Sequence, residues 1–256
     1  MAKRPAYKKS KTKIRLDQLM VDRGLAESWH KAQGRIMAGD VTVDGQVVDK
    51  AGTQVSPGAA IHVDSGPAYV GRGGLKLEGA LDHFGIDVRG MVALDVGAST
   101  GGFTDCLLQR GAAKVYAVDV GRGQLHHRLI TNPRVLNMER INAHYPFELP
   151  EPANACTTVD FCTIDVSFIS LREVIPNAAR HLRPGGRLLC LVKPQFEAGH
   201  AQVGRGGVVK DPVVHAEVLG EVALGSLRQG YRMRGIVPSP IEGDKGNREF
   251  FLLLEA

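Results

Sequence analysis

Apolar residues recur at helical spacing over 14–22 (Ile14, Leu16, Leu19, Met20), and Gly24 follows where a glycine would cap a helix C-terminus. A second helix is predicted from Ser28, a good N-cap, through 38, with Gly39 stopping it. Over 41–48 the pattern becomes two short strands around Asp44-Gly45, a tight-turn dipeptide, and a further strand is expected over 60–63. Gly and Pro then crowd 64–71, where a linker is expected. From Met91 onward strand-like runs at 91–96, 114–120, 135–139, 158–166, 187–193, 231–238 and 249–254 alternate with helical patterns near 103–110, 123–131, 169–182 and 212–229. Such alternation predicts an α/β domain with a mostly parallel sheet covered on both faces. The loop between the last two strands is too short for a parallel crossover, so one strand should run antiparallel.

Composition adds little to that outline, but charge does. With 256 residues, 43% of them hydrophobic, the chain can build a core for a full domain and a small one. Residues 1–65 carry eleven Lys/Arg against seven Asp/Glu, and the rest twenty-one against twenty, so the surplus is N-terminal. Seven basic side chains and no acid fall within 1–15, the footprint either of a phosphate-seeking arm or of a solvated leader. Cys106, Cys156, Cys162 and Cys190 form no C-x-x-C pair, which argues against a zinc site and a disulfide framework and fits a reducing cytoplasm. No apolar stretch approaches the roughly 18 residues of a membrane span, so neither secretion nor membrane insertion is expected.

The chemistry begins after the first strand of the larger domain. Asp95-Val96-Gly97-Ala98-Ser99-Thr100-Gly101-Gly102-Phe103-Thr104 is a glycine-rich turn leading into a helix, where open α/β sheets bind nucleotide-like ligands. The G-x-G-x-x-G dinucleotide fingerprint is absent. A carboxylate at Asp95 suits a ligand with an ammonium group, such as S-adenosylmethionine, and is awkward beside a pyrophosphate. Asp119, ending the second strand beside Val120, is placed to accept ribose hydroxyls, although NAD folds use an acid at nearly the same distance. Arg140 and Asn142, after the third strand, fall where an adenine pocket is expected. Lys76, Asp165, Lys193 and Glu249 stand near element ends, and the carboxyl ends of the fourth and fifth strands should converge beside the cofactor crevice. A lysine held between carboxylates can orient a hydroxyl and relay its proton.

Two resemblances sharpen these readings. Arg15-Leu16-Asp17, Gly24-Leu25-Ala26-Glu27-Ser28, Lys31-Ala32, Gly39 and Val43-Asp44-Gly45 resemble the small RNA-binding domain of ribosomal protein S-four. That resemblance implies phosphate contacts by Arg15, Arg23, Lys31 and Arg35, joined by Lys11 and Lys13 before them and Arg72 after them. The segments Arg72-Gly73-Gly74-Leu75-Lys76-Leu77, Leu94 through Asp105, Asp165-Val166-Ser167-Phe168-Ile169-Ser170-Leu171, Val192-Lys193-Pro194-Gln195-Phe196-Glu197 and Gly246-Asn247-Arg248-Glu249-Phe250 resemble the TlyA family of ribosomal RNA 2′-O-methyltransferases, whose catalytic domain is similar to FtsJ.

The implied organisation is a basic leader at 1–13, an S-four-like α+β domain at 14–64, a linker at 65–71 and an FtsJ-like domain at 72–256. The latter would be a Rossmann-like sheet of seven strands, the last antiparallel. The family's Lys-Asp-Lys-Glu tetrad maps onto Lys76, Asp165, Lys193 and Glu249. The implied reaction is methyl transfer from S-adenosylmethionine to a cytidine 2′-hydroxyl of ribosomal RNA, with ribosomal subunits as partners and with no metal, DNA or membrane. A non-catalytic ribosome-binding module and a membrane-lytic protein are the competing classes.

Overall fold

The computed structural model describes residues 13–64, 68–150 and 158–256. The chain divides into two compact units, with the boundary between positions 67 and 68.

In the first unit, β1 (Ile14–Arg15) leads into α1 (Leu16–Asp22), α2 (Trp29–Met37), β2 (Val41–Val43), β3 (Gln46–Val47), β4 (Gln54–Val55) and β5 (Ile61–Val63). Ser28 caps α2, its Oγ accepting the Lys31 N–H at 3.3 Å. Asp44 (φ 52°) and Gly45 (φ 83°) are both left-handed, the geometry that folds β2 back on β3. Leu16, Leu19, Met20, Ala32, Ile36 and Val41 form the core, so helical spacing on α1 and α2 becomes one buried stripe on each. The β1–β4 pair was not foreseen, because two-residue strands carry no periodicity.

The second unit contains α3 (Gly73–Phe84), β6 (Val92–Val96), α4 (Gly102–Gln109), β7 (Lys114–Asp119), α5 (His127–Ile130), β8 (Val135–Glu139), β9 (Val159–Ile164), α6 (Leu171–Ala179), β10 (Leu182–Val192), α7 (Pro194–Glu197), α8 (Pro212–Arg228), β11 (Arg232–Pro238) and β12 (Phe250–Glu255). The seven strands follow the order β11-β12-β10-β9-β6-β7-β8, and β12 runs antiparallel to both its neighbours. Successive residues of β6 enter opposite cores: Leu94 packs with Ile164, Val174 and Leu252, and Ala93 with Leu77, Leu107 and Phe251. Each fully buried leucine or phenylalanine contributes ~1.5–3 kcal/mol, which fixes the register of the strand ends that carry the chemistry.

Several elements differ from expectation. Helix α3 was missed because it opens on two glycines, Gly73 and Gly74, which are poor helix formers. Residues 68–71 are not a free linker: Tyr69 is buried, and the Val70 N–H donates to Asp105 Oδ2 at 2.9 Å. The helix expected at 123–131 shrinks to α5, since Gly123 is left-handed (φ 65°). Strand β10 starts earlier than its apolar run, through an irregular stretch between Leu182 and Arg187. No described helix is long and apolar enough to cross a membrane.

Candidate active site

At the carboxyl end of β6 the chain turns sharply at Gly97 (φ 84°), and a Cβ there would overlap the Asp165 carbonyl oxygen. Asp119, ending β7, holds the same loop: Oδ2 accepts the Ser99 N–H and Oδ1 the Gly121 N–H, each at 2.7 Å. These contacts frame a cavity of about 710 Å³ walled by Gly97, Ser99, Asp119, Val120, Asn142 and Asp165, among others. A smaller recess of about 130 Å³ is lined by Gly73, Gly97, Ala98, Ser99, Thr100, Gly102, Phe103 and Asp165. Asp165 thus belongs to both spaces. Gly101 (φ 97°) packs against Leu125 and Leu129 and lines neither.

Besides Gly101, two residues expected at the cofactor lie elsewhere. Asp95 is fully buried, with Oδ2 accepting the Thr104 hydroxyl at 2.6 Å and Oδ1 the Thr163 hydroxyl at 2.9 Å. It braces the turn from beneath instead of walling the cavity. Burial raises its pKa to about 6, opposed by the two hydroxyls. Arg140, left-handed at φ 60°, is exposed and absent from the cavity wall, and its N–H donates to the Gly121 carbonyl.

The four ionisable residues form two ion pairs. Lys76, in the first turns of α3, donates to Glu249 Oε2 at 2.5 Å, with both residues buried. Lys193 Nζ lies 2.6 Å from Asp165 Oδ1 and donates to Ser167 Oγ at 3.1 Å. Asp165 Oδ1 is buried against that ammonium and, as a carboxylate oxygen, has lone-pair capacity for a second donor. Backbone register explains the convergence. Val192 pairs with Phe250 across the antiparallel ladder, so Lys193 and Glu249 are the next residues out at the same edge. Parallel pairing of β9 with β10 brings Asp165 to that edge as well.

A loop-walled cavity at the carboxyl ends of parallel strands, with β12 inserted antiparallel, matches known proteins. The FtsJ-like methyltransferase model covers residues 69–256, and the S4 domain model covers 14–61. The chain is 46% identical over 244 residues to the 16S/23S rRNA (cytidine-2′-O)-methyltransferase TlyA of Mycobacterium tuberculosis, covering 94% of this chain and 90% of that protein. The chain belongs to the TlyA family of FtsJ-like methyltransferases. Hemolysin A of Brachyspira hyodysenteriae is 38% identical, over 93% of this chain and 98% of that protein. A solved hemolysin-named structure from Streptococcus thermophilus superposes with a TM-score of 0.69 at 42% identity, covering 96% of this chain and 89% of that one. As a TlyA-family methyltransferase the protein uses S-adenosylmethionine, and its cavity suits that ligand. Its volume fits a nucleoside-sized molecule, Gly97 forms part of its wall, and Asp119 lines it with acceptor capacity beyond its two loop amides.

Other parts of this TlyA-family site were not singled out from sequence. Phe168, within the loop after β9, is left-handed (φ 65°) and 89% exposed on the cavity wall, with its ring 4.8 Å from that of Phe196. His144 and Glu173 also line the wall and pair at 2.7 Å. Glu197 ties α7 to the start of α6, accepting the Ser170 hydroxyl and the Leu171 N–H, each at 2.7 Å. An aromatic residue between two serines in a loop was the available signal for Phe168.

In the S4 unit several of the expected RNA contacts also carry internal bonds. Arg23 donates to the Ala59 and Pro57 carbonyls, Arg35 to the Asp64 carbonyl, Lys31 to Glu27, and Arg15 to Asp17. Lys13 is exposed, Arg72 donates to the Glu242 carbonyl at 2.8 Å, and Lys11 lies outside the described residues. Among the described residues no cluster of His, Cys, Asp and Glu could hold a metal ion.

Proposed function

We propose that this protein methylates the 2′-hydroxyl of a cytidine in ribosomal RNA, in the large subunit and also in the small, working in the cytoplasm where ribosomes are assembled. The observation that carries the reading is the pair of lysine–carboxylate contacts at one edge of the sheet, with Asp165 on the wall of the cofactor cavity. The name of the M. tuberculosis relative supports the choice of nucleotide, and the S4 unit supports a structured RNA.

When bound, S-adenosylmethionine supplies an electrophilic methyl group. Gly97 and Ser99 would line its place, and Asp119 would accept its ribose hydroxyls. Lys193 Nζ, held by Asp165 and Ser167, orients the acceptor hydroxyl. The proton released from that hydroxyl passes to the Lys193–Asp165 pair, whose Oδ1 has acceptor capacity to spare. Lys76 and Glu249 fix the adjoining edge, so that the acceptor is positioned and not merely bound. Incubating the protein with ribosomal subunits and methyl-labelled S-adenosylmethionine, then mapping 2′-O-methyl sites, tests this. Label on a cytidine ribose is expected; label on a base, or none, refutes it.

A further inference from the structure

The one tryptophan of the chain, Trp29, begins α2 directly after its cap and is 48% exposed, outside the apolar cluster of its unit. A ring of that size is normally driven into a core or an interface. Its orientation is built from below. Asp17, fully buried, takes Arg15 Nε at 3.1 Å and Nη2 at 2.7 Å, and also accepts from Gln33 Nε2 at 3.2 Å and the Gln18 N–H at 2.9 Å. The guanidinium so fixed lies 5.8 Å from the centroid of the Trp29 ring, within cation–π range. A buried carboxylate therefore sets an arginine, and the arginine sets an exposed aromatic face.

The local charge says what that face is for. Arg15 is neutralised by Asp17 and Lys31 by Glu27. This corner of the S4 unit accordingly offers little net charge for neutralising phosphates. What it offers is a ring face, with the exposed His30 imidazole beside it, their centroids 6.3 Å apart.

We propose that Trp29 is a stacking platform for an unpaired base of the RNA substrate, so that the S4 unit reads a splayed nucleotide as well as the phosphate backbone. The proposal rests on the reading of the protein as an rRNA-binding methyltransferase. Stacking of a base on an aromatic ring is sequence-tolerant and insensitive to salt, which separates it from the arginine and lysine contacts.

Because Trp29 is the chain's one tryptophan, its emission in the full-length protein reports the contact directly. Titration with protein-free large-subunit rRNA should quench or shift it. Trp29→Ala should weaken binding roughly 5- to 150-fold with an unchanged slope of affinity against salt, and Trp29→Phe should restore most of the loss. Unaltered emission at saturation, or wild-type affinity in Trp29→Ala, would overturn the proposal. A response to assembled subunits but not to protein-free rRNA would also overturn it, assigning the ring to a protein surface. Normal methyl transfer with unresponsive Trp29 defeats this inference alone, whereas absence of any rRNA binding or methyl transfer defeats the functional reading with it.

Discussion

The Lys76–Glu249 pair makes a demand on stability that can be measured apart from catalysis. Both residues are buried, at 9% and 3% exposure, and their charges meet at 2.5 Å. Removing one member strands the other charge away from water, which costs about 3–5 kcal/mol, whereas replacing both with uncharged side chains of similar volume is close to neutral. For a domain of this size each kcal/mol moves the melting temperature by about 2–4 °C, so Lys76→Met or Glu249→Gln alone should lower it by roughly 6–20 °C. The double variant should recover much of that loss, giving a coupling energy of at least about 2 kcal/mol in urea unfolding. All three variants should be inactive in methyl transfer. Single variants that melt with the wild type, or a double variant whose loss is the sum of the singles, would refute the view that this pair is a desolvated, mutually dependent unit.

Other residues give sharper single readouts. Asp95 has a pKa raised from its ordinary value of 3.8 to about 6. The folded state therefore holds that proton more tightly, and the associated stability is present below pH 4 and lost as pH rises through about 6. Relative to Asp95→Asn, the wild type should lose roughly 3 kcal/mol between pH 4 and 7, and parallel stability profiles would show that the carboxylate is not buried as described. Gly97→Ala must hold φ near 84° and push a methyl group into the Asp165 carbonyl. Calorimetric affinity for S-adenosylmethionine should fall about tenfold or more for the 1–2 kcal/mol of backbone strain alone, so an unchanged affinity would contradict the loop geometry. Glu197→Ala frees Ser170 and the Leu171 N–H. Hydrogen exchange should accelerate over residues 165–172 and kcat should fall more than KM rises; protection equal to wild type would leave Glu197 without the bracing role.

How much of this could be read in the sequence depended on whether a residue's job is set by its neighbours in the chain. Ser28 as a cap and Asp44-Gly45 as a turn are local choices, and the structure realises both. The central strands were legible because both sheet faces are buried there, leaving uninterrupted apolar runs such as 188–192. Helix α3 was obscured by its leading glycines, which lie close against other side chains: a Cβ on Gly74 would overlap the Tyr69 ring, and one on Gly73 would come within 3.2 Å of the Phe103 ring. In the site, position was readable but direction was not. Asp95 and Asp119 both end strands, yet one points into the core and the other holds the cofactor loop, a difference made by the pleat and by Thr104 and Thr163 from other segments. Glu197 owes its role to bonds with Ser170 and Leu171 on another element, which no spacing along the chain encodes.

The most direct test of the proposed chemistry is Lys193→Ala. Its side chain is half-buried between Asp165 and Ser167 at the carboxyl end of β10 and belongs to neither apolar cluster, so circular dichroism and S-adenosylmethionine binding should remain those of the wild type. Transfer of labelled methyl to ribosomal subunits should fall by about 10²–10⁴-fold, the range for loss of a positioned proton-transfer group. A folded, cofactor-binding Lys193→Ala protein that methylates at the wild-type rate would contradict the assignment of Lys193 and Asp165 as the groups that orient and deprotonate the acceptor hydroxyl.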